Sequence, residues 1–195
     1  MFGDPEFFNV EVLKQMGLWP LPHLPAYGII PYLKRMRGDL TGVELGVLKG
    51  ETSFEILNNS PNVKKMYGVD PYAAHFDGAA DRTEEEMSQY EEIMKQNMNR
   101  FDDRWEHIKK SSHDCADMFE NESLDFIFID SIQLIEHLSK ELELWYPKIK
   151  KNGIIFGHDA MTESVVVSLK KFRNEHKIRV PINHSKNQVW FWTKP

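Results

Sequence analysis

Val43-Glu44-Leu45-Gly46-Val47-Leu48-Lys49-Gly50-Glu51-Thr52 is the stretch that decides the fold. An apolar strand ends at Glu44-Leu45, and a helix begins near Gly50. Gly46 permits a sharp turn and the close approach of a ligand to the backbone. Free N–H groups and the dipole at the helix start favour an anionic ligand group, and Thr52 adds a hydroxyl donor. The pattern is not G-x-G-x-x-G: counted from Gly46, Leu48 and Glu51 stand where that fingerprint places glycine. A pyrophosphate would lose its close backbone approach. A single carboxylate does not need it, and Glu44 would repel a phosphate but attract an amino group. Taken alone, such a turn is equally compatible with a purely structural role.

Tyr67-Gly68-Val69-Asp70-Pro71-Tyr72 supplies the second clue. It ends a strand with a carboxylate, and an acid at that strand tip can accept hydrogen bonds from ribose hydroxyls. The plainer alternative is a turn or helix-capping Asp before Pro71.

Outward from these segments the chain is rhythmic. Residues 28–37 suit a short helix, with Pro31 tolerable only in its first turn. Gly42–Leu45, Lys65–Val69, Trp105–Ile108, Leu124–Ile129 and Ile154–Phe156 read as strands. Residues 50–57, 83–100, 134–145 and 162–175 read as helices. In the second of these, Met87, Tyr90, Ile93, Met94 and Met98 fall near helical spacing and suit core contacts. Ile178–Ile182 and Val189–Trp192 read as a closing strand pair, with Pro181 suited to an edge. Strands alternating with helices imply an α/β fold with a parallel sheet. Residues 1–27, with Pro20, Pro22 and Pro25 close together, read as an irregular N-terminal arm. Residues 28–195 read as one domain.

The 195 residues, 41% hydrophobic and 28% charged, suit a globular chain with a proper core. The lone Cys115 excludes an intramolecular disulfide framework and a multi-cysteine zinc site. A net charge of −6 argues against a nucleic-acid partner. No apolar run is long enough to span a bilayer, and Met1–Glu6 lacks the features of a signal peptide. The expectations are a cytoplasmic location, no membrane association and a small-molecule partner. The oligomeric state is left open.

Together with Leu124-Asp125-Phe126-Ile127-Phe128-Ile129-Asp130 and Asn152-Gly153-Ile154-Ile155-Phe156-Gly157-His158-Asp159, these motifs resemble class I methyltransferases. The closer resemblance is to the small O-methyltransferase-like group that includes catechol O-methyltransferase, over about residues 40–160. It implies a Rossmann-like, seven-stranded, mostly parallel sheet with helices on both faces and the last strand antiparallel. It implies S-adenosylmethionine as cofactor, its methionine end held by Glu44, Gly46, Gly50 and Thr52, its ribose by Asp70, and its adenine by Ser112 and His113. The alternative for Ser111–Asp114 is a helix cap, and both roles can coexist.

Asp130 ends the fourth strand and His158-Asp159 follow the fifth, where ligands of open α/β sheets gather. These three residues are the catalytic candidates. In metal-dependent relatives the matching positions bind a divalent cation such as Mg2+, which lowers the pKa of the substrate hydroxyl. The alternative is that Asp130 and Asp159 only orient substrate or cofactor. Gln133 and Ile135 depart from the His and Tyr of many bacterial relatives and from the lysine base of the catechol enzyme. The implied activity is O-methylation of a small hydroxylated molecule. The rivals are a cofactor-binding protein without turnover and a nucleotide-dependent oxidoreductase.

Overall fold

A computed structural model describes residues 24–76, 81–101, 103–185 and 187–195. The arm expected over 1–27 lies outside the described residues except for its last four. Of those four, Leu24 and Pro25 lead into α1 (Ala26–Leu33), and Ala26 and Tyr27 are its first two residues. The chain continues through β1 (Leu40–Leu45), α2 (Glu51–Asn59) and β2 (Val63–Val69) to an antiparallel pair of β3 (His75–Phe76) and β4 (Asp81–Arg82). Next come α3 (Glu84–Met98), β5 (Trp105–Ile108), the one-turn α4 (Ser112–Cys115), β6 (Leu124–Ile129) and α5 (Ile135–Trp145). The chain closes with β7 (Ile149–Gly157), α6 (Glu163–Glu175), β8 (Asn183–His184) and β9 (Trp190–Thr193).

Seven strands form one sheet in the order β5-β2-β1-β6-β7-β9-β8. The first five are parallel, and β9 runs antiparallel to both β7 and β8. Side chains alternate across the sheet, as the two-residue strand period requires. Phe126, Phe128, Phe156 and Phe191 pack with α1, α2 and α3 on one face. Ile127, Ile129, Ile155, Trp190 and Trp192 pack with α5 and α6 on the other. The Rossmann-like sheet with helices on both faces is therefore the observed architecture. Among the described residues, no helix is long and apolar enough to cross a membrane.

Local chemistry explains most boundaries. Thr83 and Glu86 form a reciprocal capping box that starts α3. Met87, Met94 and Met98 are in the core, but Ile93 is exposed, because it falls on the outer face of the turn. Two expectations are corrected. The first helix starts earlier, at Ala26, so Pro31 lies in its interior. The missing N–H there helps to confine that helix to 8 residues, and burial of Ala26, Ile29, Ile30 and Leu33 holds it in place. The strand expected at Ile178–Ile182 is instead the two-residue β8 at Asn183–His184. Pro181 cannot donate to a ladder, and the Arg173 guanidinium occupies the Val180 carbonyl.

Candidate active site

The strand order reverses beside β1: β2 and β5 lie to one side, β6 and β7 to the other. Ligands of open α/β sheets bind at such a switch point, outside the carboxyl ends of the strands. The loop after β1 and Asp130 after β6 flank it. They touch there, since the Asp130 amide donates to the Leu45 carbonyl at 2.8 Å.

Gly46 has φ +85, and a Cβ on it would lie 2.4 Å from the Asp130 carbonyl oxygen. The sharp turn expected at Gly46 is present, but what approaches this glycine is the neighbouring strand's backbone. The loop amides are largely occupied. Gly46 donates to the Val69 carbonyl at 2.9 Å and Gly50 to Val47 at 2.8 Å. Val47 and Leu48 both donate to Asp70 Oδ2 at 3.0 Å. The donors left for an anion are those of the first turn of α2, where Gly50, at φ +76, holds the N-cap position without a side-chain acceptor. Helix termini of this kind attract carboxylates.

Asp70 is buried, and its other oxygen accepts from the Tyr72 amide at 2.9 Å. A carboxylate has about four lone-pair sites. Three amides take three of them, so Asp70 builds the loop and has one acceptor site left. Tyr72 reinforces this by donating its hydroxyl to the Leu48 carbonyl at 2.5 Å. Glu44 is fully buried at the end of β1 and accepts from the Ser53 hydroxyl. Burial holds its carboxyl well above the usual range; Ser53 opposes that, and the nearby charges of Asp130 and Asp70 add to it. Thr52 is buried beside Ser53, yet Ser53 is the residue that reaches Glu44. Ser53 and Tyr72 were missed in sequence. The only available signal for Ser53 was its place one step into the helix after Thr52.

Asp130, His158 and Asp159 converge. His158 Nδ1 lies 3.2 Å from Asp130 Oδ1 and 3.5 Å from Asp159 Oδ2. Burial pushes this imidazole's pKa down, but the hydrogen bond and charge of Asp130, with Asp159, outweigh it, and the net shift is upward. The Asp159 carboxyl is raised by burial and by Asp130, against the pull of His158. Asp159 also takes φ +53, a left-handed conformation uncommon outside glycine. Trp190 fixes this corner by donating its indole N–H to the His158 carbonyl at 2.9 Å. Asp130, Ser131, Gln133, His158 and Trp190 line a small cleft here. A larger cavity, bordered by Arg100 and Arg104, sits away from the acids, where Arg104 binds the Val63 and Ser60 carbonyls at the start of β2.

The two carboxylates and one imidazole offer ligand atoms within 4.8 Å of one another. That donor set fits a divalent cation, provided that the His158 proton leaves first. Ser112 and His113 lie elsewhere on the rim. Ser112 donates to Glu141 at 2.5 Å, and His113 packs on His137 with ring centroids 4.2 Å apart. Ser111 caps α4 through the Asp114 amide, as the alternative reading expected. Cys115 is buried and its thiol is pushed up to about 11, so it is inert as a nucleophile.

A family profile described as a methyltransferase domain matches residues 43–160. The chain belongs to this methyltransferase family. It spans the loop after β1, Asp70, Asp130 and the His158-Asp159 pair, and S-adenosylmethionine is its methyl donor. No curated protein sequence matches the chain. Similar solved structures include one assigned as an S-adenosylmethionine-dependent methyltransferase of Methanococcus maripaludis (15% identity, 95% of this chain, 90% of that chain, TM-score 0.65). A second is assigned as a caffeoyl-CoA O-methyltransferase of Staphylococcus aureus (17% identity, 96% of this chain, 93% of that chain, TM-score 0.62). A third is the O-methyltransferase NovP (17% identity, 81% of this chain, 72% of that chain, TM-score 0.61). At such identities these likenesses establish the fold, and the departures at Gln133 and Ile135 keep their weight.

Proposed function

We propose that this methyltransferase moves the methyl group of S-adenosylmethionine to a hydroxyl oxygen of a small acceptor. The observation that carries the reading is the Asp130–His158–Asp159 cluster at the carboxyl ends of β6 and β7, in contact with the loop after β1. In the proposed complex the α2 amino terminus takes the methionine carboxylate beside Gly46, Gly50 and Thr52. The buried acid Glu44 faces the cationic end, the last acceptor site of Asp70 takes a ribose hydroxyl, and Ser112 and His113 flank adenine.

The oxygen attacks the methyl carbon in line, the carbon–sulfur bond breaks, and its electrons stay on sulfur as a neutral thioether. The hydroxyl proton passes to the acid–imidazole cluster, in which His158 is the most basic group, so His158 must first be deprotonated. Gln133 on the same cleft is a neutral amide and cannot take that role. As the alternative to His158 as base, Asp130, His158 and Asp159 would hold a divalent cation, which when bound lowers the pKa of the acceptor hydroxyl; His158 would then be a ligand and not the proton acceptor.

The test is production of S-adenosylhomocysteine across a panel of hydroxylated acceptors, before and after chelator treatment. Turnover confined to hydroxyl acceptors is expected. Turnover with amines or thiols only would overturn the oxygen assignment, and unchanged activity in chelator would remove the cation from it. Tight S-adenosylhomocysteine binding with no acceptor turned over would favour a silent binder, the reading that Gln133 motivates.

A further inference from the structure

Outside the Asp130 cluster, a second group of side chains of metal-ligating type closes around α5. His137 and Glu141 lie four residues apart on one face of that helix, with His137 Nε2 3.3 Å from Glu141 Oε1. His113 comes from α4 and stacks against His137. Each of the three offers one ligand atom, and all of these atoms lie within 4.8 Å of one another. We propose that His113, His137 and Glu141 form a second metal site, one that takes a divalent ion of the zinc class.

Geometry carries this. A tetrahedral zinc with bonds of about 2.0–2.1 Å has ligand atoms about 3.4 Å apart along each edge. The 3.3 Å hydrogen bond between His137 Nε2 and Glu141 Oε1 also matches one edge, so an entering ion would displace the His137 Nε2 proton and draw His113 in. Two imidazoles and one carboxylate are a zinc donor set, and with three protein ligands they leave a fourth position open.

The surroundings fit as well. Glu141 is fully buried, and its oxygens accept from Ser112 at 2.5 Å and Ser131 at 2.6 Å. Such hydroxyls orient a ligating carboxylate. His113 Nε2 lies 3.2 Å from the His137 carbonyl, a pure acceptor, so the ring's proton sits on Nε2 and a lone pair remains on Nδ1. None of these three residues belongs to the Asp130 cluster, so the two groups can be tested apart.

The experiment is calorimetric titration of the chelator-treated full chain with Zn2+ alone, with Co2+ absorption as a second readout of coordination. His158→Ala removes the contribution of the other cluster and serves as the background. In that background, zinc binding is expected to persist, and His113→Ala or His137→Ala should each weaken it at least tenfold. The same substitutions should abolish the visible bands of four-coordinate Co2+. Loss of all zinc binding in His158→Ala alone would overturn the proposal. Unchanged binding in both His113→Ala and His137→Ala would overturn it equally. Circular dichroism checks folding, and His113→Ala, on a surface turn, decides the matter if His137→Ala unfolds. Neither S-adenosylmethionine nor an acceptor enters the test, so its outcome is independent of the proposed O-methylation.

Discussion

The loop after β1 and the tips of β6 and β7 lie side by side, yet they are built differently. In the loop, backbone amides do the holding: Asp70 is clamped by Val47, Leu48 and Tyr72 amides, and Gly46 is pressed on Asp130. At the strand tips, side chains hold one another: His158 stands between Asp130 and Asp159, all three half-buried. A backbone-built region is stiff and suits a cofactor of constant shape. A region built of titratable side chains responds to pH and to whatever enters it, as an acceptor site must.

The comparison can be broken most forcefully at the tips. His158→Gln is expected to cut turnover by about 10²–10⁴-fold, the usual range for a lost proton acceptor, while S-adenosylhomocysteine affinity by calorimetry stays near wild type. Because the His158 pKa is raised above 6.5, wild-type turnover should climb as pH rises through that value, and the limb should vanish in the variant. A retained limb would take the proton away from His158.

Gly46→Ala tests the loop. A left-handed φ costs a non-glycine residue about 1–2 kcal/mol, and overpacking against a neighbouring backbone costs about 1–3 kcal/mol. The combined loss of stability should be about 2–5 kcal/mol, read from urea unfolding. Asp70→Ala should follow with a loss of cofactor affinity of about 1–3 kcal/mol, as for a removed charged acceptor. It should also lower stability, since three amides lose their partner. If stability falls and affinity does not, Asp70 is purely a loop-builder.

Glu44→Gln is the smallest expected effect and has two signs. A buried carboxyl with a raised pKa binds its proton more tightly folded than unfolded. Its ionisation therefore subtracts stability as pH rises from the unfolded carboxyl range through the folded value. The amide should thus stabilise the protein near neutral pH by about 1 kcal/mol and weaken cofactor binding by a similar amount, since the negative charge facing the ligand's cation is gone. Melting temperature and calorimetry read the two effects separately.

The boundaries of β5 and β6 were legible to the residue, because Leu124–Ile129 is almost wholly apolar and both ends carry polar punctuation. β8 was not, because a two-residue edge strand has no periodicity to detect. The convergence of Asp130, His158 and Asp159 was expected from the strand-end rule, and the structure brings them together. Ser53, Tyr72 and Glu141 were illegible. Glu141 reads as one more charge on a helix until α4, β6 and α5 meet and bury it.

By itself the sequence determined the α/β class, the glycine turn after β1 and the acids at the tips of β1, β2 and β6. Hydrophobic period and backbone permissiveness are local properties, and local order encodes them. Only the tertiary structure decided that Gly46 yields to Asp130, that Asp70 is occupied by amides and that His158 lies between two carboxylates. Each of those outcomes is set by which polar groups are left together when the sheet closes, and no single segment contains that information.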